Sequence, residues 1–175
     1  MSFRSPLVLR LACFLGLAAA ACEPLDQVSA PVDAPSLTAS SGPSLIQCPT
    51  NTTSSATETV TALGGTVSLG GHSIQIPGGG LLGPTTITVT EPASQYVEID
   101  IQAGAAEHFD FQLPMLVTIS YARCGRTDID RIPLQVWYID PVTHELLENM
   151  GGVDNKLLRT VSFWTNHLSG YAIAE

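Results

Sequence analysis

The sequence predicts an all-β protein, built as an antiparallel β-sandwich that forms a single domain. Short runs of alternating polar and apolar residues recur along its downstream two-thirds, and Gly, Pro and Asp separate these runs at regular spacing. No apolar pattern of helical period and useful length occurs in residues 57–175. That stretch is long enough for one hydrophobic core and too short for two, so we predict one folded domain over residues 57–175.

The first 21 residues have the parts of a bacterial signal peptide. Arg4 and Arg10 supply positive charge, and an apolar run that is short for a membrane span leads to small residues before Cys22. The sequence Ala-Ala-Ala-Cys at residues 19–22 resembles the lipobox of bacterial lipoproteins, although Ala19 stands where leucine is commoner. We therefore predict a lipoprotein signal peptide at residues 1–21 and lipidation, including palmitate, at Cys22. Ordinary cleavage that leaves a free thiol is the alternative.

Residues 22–56 are rich in Pro, Ser, Thr and Ala and show little periodicity. Such a segment buries too little apolar surface to offset its ordering entropy, so we predict a disordered tether. Together with the lipobox, it predicts an exported protein of the bacterial cell envelope, with the outer membrane favoured over the inner. The membrane would be a partner only through the N-terminal acyl anchor.

The strands of the predicted domain follow from alternation. Val67 and Leu69 share one face of the first strand, Ile74 and Ile76 share one face of the second, and Gly70-Gly71 suits the tight turn between them. Trp137 is predicted to be a large core residue. The other predicted strand segments are Thr85–Thr90, Tyr96–Gln102, Phe109–Phe111, Met115–Tyr121, Leu134–Ile139, Leu157–Phe163 and Leu168–Ala174.

The cysteines predict one disulfide. Of the four, Cys13 leaves with the signal peptide and Cys22 carries lipid, which leaves Cys48 and Cys124 to pair in an oxidising compartment. Two unrelated thiols are the alternative. A pair of cysteines is too few for a structural zinc site.

Several landmarks of the domain resemble the ZU-five family, named from zonula occludens and uncoordinated-five proteins. The landmarks are Gly64-Gly65-Thr66-Val67, Ile74-Gln75-Ile76-Pro77-Gly78-Gly79-Gly80, Thr85 to Val89, Phe109, and Pro114 leading into Val117-Thr118-Ile119. Gly80 stands where the family usually carries alanine. The resemblance implies a β-sandwich that acts in protein-protein contact or as a structural spacer, and it names no partner for a bacterial surface protein.

One tripeptide near the C-terminus is a candidate for self-cleavage. His167-Leu168-Ser169 resembles the cleavage site of autoprocessed members of this family. In that mechanism Ser169 would attack the carbonyl of Leu168 while His167 takes the hydroxyl proton. The alternative is ordinary strand packing, because the reaction also requires a distorted backbone.

Other chemistry finds little support in the sequence. His72, His108, His144 and His167 have no partners at metal-ligand spacing, and Asp128 and Asp130 are too sparse for a calcium loop. We predict no cofactor, no metal and no enzyme activity apart from the possible self-cleavage. The formal net charge of −9 argues against nucleic acid as a partner.

The predicted role is that of a cell-envelope lipoprotein whose β-sandwich has a binding or structural function with an unknown partner. Two alternatives are an autoproteolytic domain cut between Leu168 and Ser169 and a carbohydrate-binding surface module. The second alternative needs a shallow platform of exposed aromatic residues. The aromatic residues able to supply one are Tyr96, Tyr138, Trp164 and Tyr171.

Overall fold

The computed structural model describes residues 42–104, 109–125 and 128–175, and it confirms the predicted β-sandwich. Eleven strands form two antiparallel sheets that pack face to face. The six-stranded sheet has the order β1-β4-β5-β11-β7-β8, and the five-stranded sheet has the order β2-β3-β6-β10-β9. The predicted signal peptide, Cys22 and residues 23–41 of the predicted tether lie outside the described residues.

The strands have the following bounds: β1 Ser54–Val60, β2 Gly65–Leu69, β3 His72–Ile76, β4 Thr85–Glu91, β5 Glu98–Ala103, β6 Asp110–Ser120, β7 Gln135–Ile139, β8 Leu146–Gly151, β9 Val153–Asn155, β10 Thr160–His167 and β11 Gly170–Ala174. Two short 3₁₀ turns, Ala122–Cys124 and Ile129–Arg131, lie between β6 and β7. No helix in the described part of the chain is long and apolar enough to cross a membrane.

The alternation of the first hairpin is confirmed, whereas the prediction for Trp137 is wrong. Val67, Ile74 and Ile76 are buried between the sheets. Trp137 is only half-buried, because its neighbour Val136 points into the core and adjacent residues of a strand point to opposite faces. The largest fully buried side chains are instead those of Tyr121 and Tyr171.

The folded part starts earlier than residue 57. Strand β1 begins at Ser54 and pairs along its length with β4. Upstream of β1, Leu45 bridges to Ala174 of β11, and Gln47 bridges to Tyr96. The side chain of Ile46 is buried in the core, which explains how a stretch with little periodicity is held in place.

The predicted strand Leu157–Phe163 begins too early. Leu157 and Leu158 are exposed, and the backbone N–H of Leu158 donates to Oδ1 of Asn155 in a turn that precedes β10. The sequence also gave no indication of β8 and β9. These two strands lie at the edges of the two sheets, where alternation between buried and exposed residues is weak.

Cys48 and Cys124 form the predicted disulfide, with their Cα atoms 4.6 Å apart. The bond joins the segment before β1 to the 3₁₀ turn that follows β6. Both sulfur-bearing side chains are buried. Arg123, next in the chain to Cys124, donates hydrogen bonds to the carbonyl oxygens of Pro49 and Tyr96, so side-chain contacts reinforce the covalent link.

Gly64 provides a test of the turn between β1 and β2. Its φ is +84°, and a Cβ placed there would lie 2.5 Å from the carbonyl oxygen of Ile76. Gly70 is the matched control, because its φ is +58° and a Cβ there would have no atom within 4 Å. We expect Gly64→Ala to lower the free energy of unfolding by about 2 kcal/mol and Gly70→Ala by about 1 kcal/mol, measured by urea denaturation. Equal losses in the two variants would contradict the crowding at Gly64.

Candidate functional site

The tripeptide His167-Leu168-Ser169 connects the end of β10 to the start of β11. Nδ1 of His167 lies 3.2 Å from the hydroxyl oxygen of Tyr171, and this hydroxyl donates to the carbonyl oxygen of His167 at 2.8 Å. Burial raises the pKa of Tyr171 to about 12, so the hydroxyl keeps its proton at neutral pH. The carbonyl oxygen of Ser169 accepts a hydrogen bond from the N–H of Ile101.

The tripeptide is the short connection from β10 of the five-stranded sheet to β11 of the six-stranded sheet, and it follows a register shift between Thr165 and His167. Within the described residues, no hydrogen bond joins the His167 ring to the Ser169 hydroxyl, and Leu168 and Ser169 have no positive φ. A histidine that is to act as general base needs hydrogen-bond reach to the proton that it removes. The ring instead contacts the hydroxyl of Tyr171.

We therefore expect the mature chain to remain intact at residues 167–169. Intact mass spectrometry under denaturing conditions should give one species that includes residues 169–175. Loss of the mass of these residues would contradict this expectation. A Ser169→Ala variant is the control, because it removes the nucleophile and should give the same intact species as the wild type apart from one oxygen atom.

A buried histidine and two half-buried charged residues lie together at the end of the sandwich that carries the disulfide. The side chain of His72 is 4% exposed, and its Nδ1 accepts a hydrogen bond from the N–H of Ser120. Its Nε2 lies 3.5 Å from Oε2 of Glu91, and Oε1 of Glu91 lies 3.3 Å from Nε of Arg123. These contacts link β3, β4 and the turn after β6, so the group has a structural role.

The burial of His72 predicts a pH dependence of stability. Burial lowers the pKa of His72 below its ordinary value of 6.5, and the nearby Glu91 carboxylate only partly opposes this effect. As the pH falls from about 7 to 5, the unfolded chain takes up a proton at this position that the folded protein excludes. Stability contributed by the site is therefore present above pH 6.5 and lost below it. We expect the free energy of unfolding to fall less steeply over this range in His72→Gln, and identical profiles would contradict the assignment.

A buried carboxylate lies on the outer side of the six-stranded sheet. Glu98 is 4% exposed although alternation predicts that it faces solvent. Nε2 of His144 lies 3.2 Å from Oε1 of Glu98, and the His144 ring packs against Tyr96 with centroids 5.0 Å apart. His144 reaches this position from the loop after β7, with a φ of +59°. The sequence gives no sign of this contact, because the two residues are far apart in the chain.

The four candidate platform aromatics have different environments. Tyr171 is fully buried, and Tyr96 and Tyr138 are half-buried. Trp164, on β10, is 62% exposed and is the large aromatic side chain that the described surface presents most openly. A platform of several exposed aromatics is therefore not present among these four residues, and Trp164 alone stands out.

Trp164 lies on the outer face of the five-stranded sheet, where cross-strand pairing aligns side chains into rows. The first row runs from Thr66 through Gln75 and Leu116 to Trp164. The second row contains Ser68, Ser73, Thr118, Ser162 and Val153, and the third contains Ser120, Thr160 and Asn155. We call the residues of these three rows the Trp164 face.

The Trp164 face carries no charged side chain, although the chain has a formal net charge of −9. Asp110, at the start of β6, lies beyond the first row. Hydroxyl and amide groups predominate, and the hydroxyls of Thr118 and Ser162 are hydrogen-bonded to each other at 2.8 Å. In the third row, Oγ of Ser120 and Oδ1 of Asn155 accept hydrogen bonds from backbone N–H groups. Among the described residues, no hydrogen bond uses the side chains of Thr66, Ser68, Ser73 or Gln75.

A shallow groove crosses the first row. Its volume is about 240 Å³, and it is lined by Gly65, Thr66, Gln75, Ile76, Pro77 and Trp164. The Trp164 side chain thus forms part of the wall, and the side chains of Thr66 and Gln75 present polar groups to the same space. An apolar ring beside a few polar groups is the usual composition of a binding site for small or extended ligands.

Comparison with known proteins adds no assignment: no family model matches the chain, and no curated protein is detectably similar to it. The resemblance to the ZU-five family therefore stays a prediction. The described residues also contain no group of three or more His, Cys, Asp or Glu side chains that could hold a metal ion.

Proposed function

We propose that this protein is a non-catalytic, lipid-anchored component of the bacterial cell envelope, and that its β-sandwich binds a partner through the Trp164 face. The observation that carries the proposal is an indole that is 62% exposed on a face without charges. Large aromatic side chains are costly to leave in water and dominate the energetics of binding surfaces. We therefore place Trp164 at the centre of the proposed recognition surface.

The described chain enters the domain at a distance from Trp164. Leu45 pairs with Ala174 at the C-terminal end of β11, and Cys48 follows at the disulfide. The chain thus enters the domain at the end where β10 begins, since Thr160 pairs with Ser120 just before the disulfide-bonded turn. Trp164 lies further along β10, away from that end.

A sedimentation experiment tests the proposed binding surface. The full mature chain with Cys22→Ser, which lacks the acyl group, is mixed with isolated cell envelopes and centrifuged. We expect this protein to pellet with the envelopes and a Cys22→Ser/Trp164→Ala variant to stay in the supernatant. Trp137→Ala in the same background is the matched control, because Trp137 lies on the other sheet, and it should still pellet. Equal pelleting of the Trp164 and Trp137 variants would reject the face as the binding surface.

A labelling experiment tests the anchor separately. Cells that express the full chain are grown with an alkyne analogue of palmitate, and the protein is then examined for the incorporated label. We expect label in the wild type and none in Cys22→Ser. The wild type should fractionate with membranes, whereas the variant should be released with soluble envelope proteins. An unlabelled wild-type protein, or label that persists without Cys22, would overturn the lipid anchor.

A further inference from the structure

We propose that the ligand of the Trp164 face is a neutral polysaccharide, with one sugar ring stacked on the indole of Trp164. This inference rests on the proposed function and specifies the class of ligand for the same surface. The site would use one indole and its neighbouring hydroxyl and amide groups in place of the several exposed aromatics that the sequence led us to expect. The argument uses the charge, the hydrogen-bonding capacity and the shape of the face.

The charge of the face selects a neutral ligand. None of the side chains in its three rows carries a charge, so a charged ligand would find no counter-ion there. Anionic ligands are disfavoured further by the formal net charge of −9. These two facts argue against nucleic acids, anionic lipids and charged peptides as ligands of this surface.

The hydrogen-bonding groups of the face match a chain of sugars. The hydroxyls of Thr66, Ser68 and Ser73 and the amide of Gln75 can each donate and accept, and no described protein group occupies them. Sugar hydroxyls also donate and accept at every position. Neighbouring strands place these side chains about 4.8 Å apart, so one row can contact consecutive parts of an extended chain.

The single exposed indole distinguishes a sugar from a protein partner. One face of a pyranose ring carries C–H groups, which pack on the π-face of Trp164, while the ring hydroxyls point sideways toward Thr66 and Gln75. A protein partner would instead require a contiguous apolar centre of several buried anchor residues. The face offers Leu116, which pairs with Trp164 in the first row, and Val153 in the second row, and this apolar centre is smaller than such an interface requires.

The groove of the first row has an open, shallow shape. It is lined by residues of β2, β3 and β10 and by Pro77, so a ligand would lie across the strands rather than enter a deep pocket. An extended polysaccharide fits such a surface better than a free monosaccharide, because several weak contacts along the chain add together.

Single-tryptophan variants provide the test, since the chain has only two Trp residues. All proteins carry Cys22→Ser, and the probes are soluble dextran, galactomannan and hydroxyethylcellulose, each in native gels, and cellulose and chitin in pull-down assays. Trp137→Phe leaves Trp164 as the only reporter. With at least one probe we expect the emission of Trp164 to shift to the blue and its indole to become less accessible to the quencher acrylamide. Trp164→Phe leaves Trp137, whose emission should not change with the same probe.

The gels give the second readout. The wild type and Trp137→Phe should be retarded by the same polysaccharide, Trp164→Ala should lose at least tenfold in apparent affinity, and Gln75→Ala should fall between them. The glycan assignment is overturned if none of the probes binds, or if Trp164→Ala binds as the wild type does. A different outcome is that no polysaccharide binds, while the protein still pellets with envelopes and Trp164→Ala does not. The proposed binding surface then stands, and its ligand is of another class, such as a protein. If Trp164→Ala still pellets with envelopes, the proposed function itself fails.

Discussion

The double variant Cys48→Ala/Cys124→Ala is expected to unfold with a free energy about 4 kcal/mol lower than that of the oxidised wild type. The disulfide closes a loop with a sequence separation of 76 residues, and it removes much of the conformational freedom of the unfolded chain. A loss of this size is a large share of the stability of an ordinary domain. Urea denaturation monitored by fluorescence measures it directly.

Reductant provides the control for this prediction. It should lower the stability of the wild type to near that of the double variant and should leave the double variant unchanged. A difference below about 1 kcal/mol between oxidised wild type and double variant would contradict the expected role, since the chain-entropy model gives several times more for a loop of this length.

Replacing Asp154 with alanine is the second large change, with an expected loss of about 3 kcal/mol. Oδ1 of Asp154 accepts a hydrogen bond from the hydroxyl of the fully buried Tyr121 at 2.8 Å. Oδ2 accepts from the N–H of Leu134 at 3.2 Å and lies 2.6 Å from Nζ of Lys156. Removing the carboxylate leaves a buried hydroxyl and a backbone N–H without their acceptor, and it leaves the lysine without its counter-ion.

A double-mutant cycle separates the hydrogen bond from the rest of this network. Tyr121→Phe removes only the hydroxyl and should cost about 1 kcal/mol. When Asp154→Ala is added to Tyr121→Phe, it should cost less than it does in the wild type, because the hydroxyl that would be left unpaired is already gone. Strict additivity in thermal or urea unfolding would show that the two residues are not coupled.

Much of the fold could be predicted because its inner strands obey a simple rule. Alternation places Val67, Ile74 and Ile76 in the core, and the two glycines after Leu69 suit the turn that follows. The rule fails where a buried residue has an unusual reason to be buried. Glu98 is covered by His144 from a distant loop, and no local pattern reports such a contact.

The folded boundary and the large core residues were harder to predict for related reasons. Ile46 and Cys48 are held by pairing with distant strands and by the disulfide, so a sequence of low periodicity still folds. The strand predicted around Trp137 is present as β7. Its inward-facing side chain is that of Val136, one residue earlier, so Trp137 faces the other way.

The candidate site was predicted only in part. Trp164 was among the four aromatics that could supply a platform, but alternation alone does not indicate which of the four face solvent. Its neighbours on the face belong to strands whose order, β2-β3-β6-β10-β9, is set by tertiary pairing. Thr66 and Gln75 therefore come beside Trp164 through contacts that are not encoded in any local pattern.

The position of the disulfide has a mechanical consequence for a domain that is held by its N-terminal side. A pulling force would detach only the short segment around Leu45 before it reached Cys48. From there the covalent bond passes the load to Cys124, just beyond β6. The chain between the two cysteines, with β1 to β6, therefore cannot be drawn out lengthwise by a pull on the segment before Cys48.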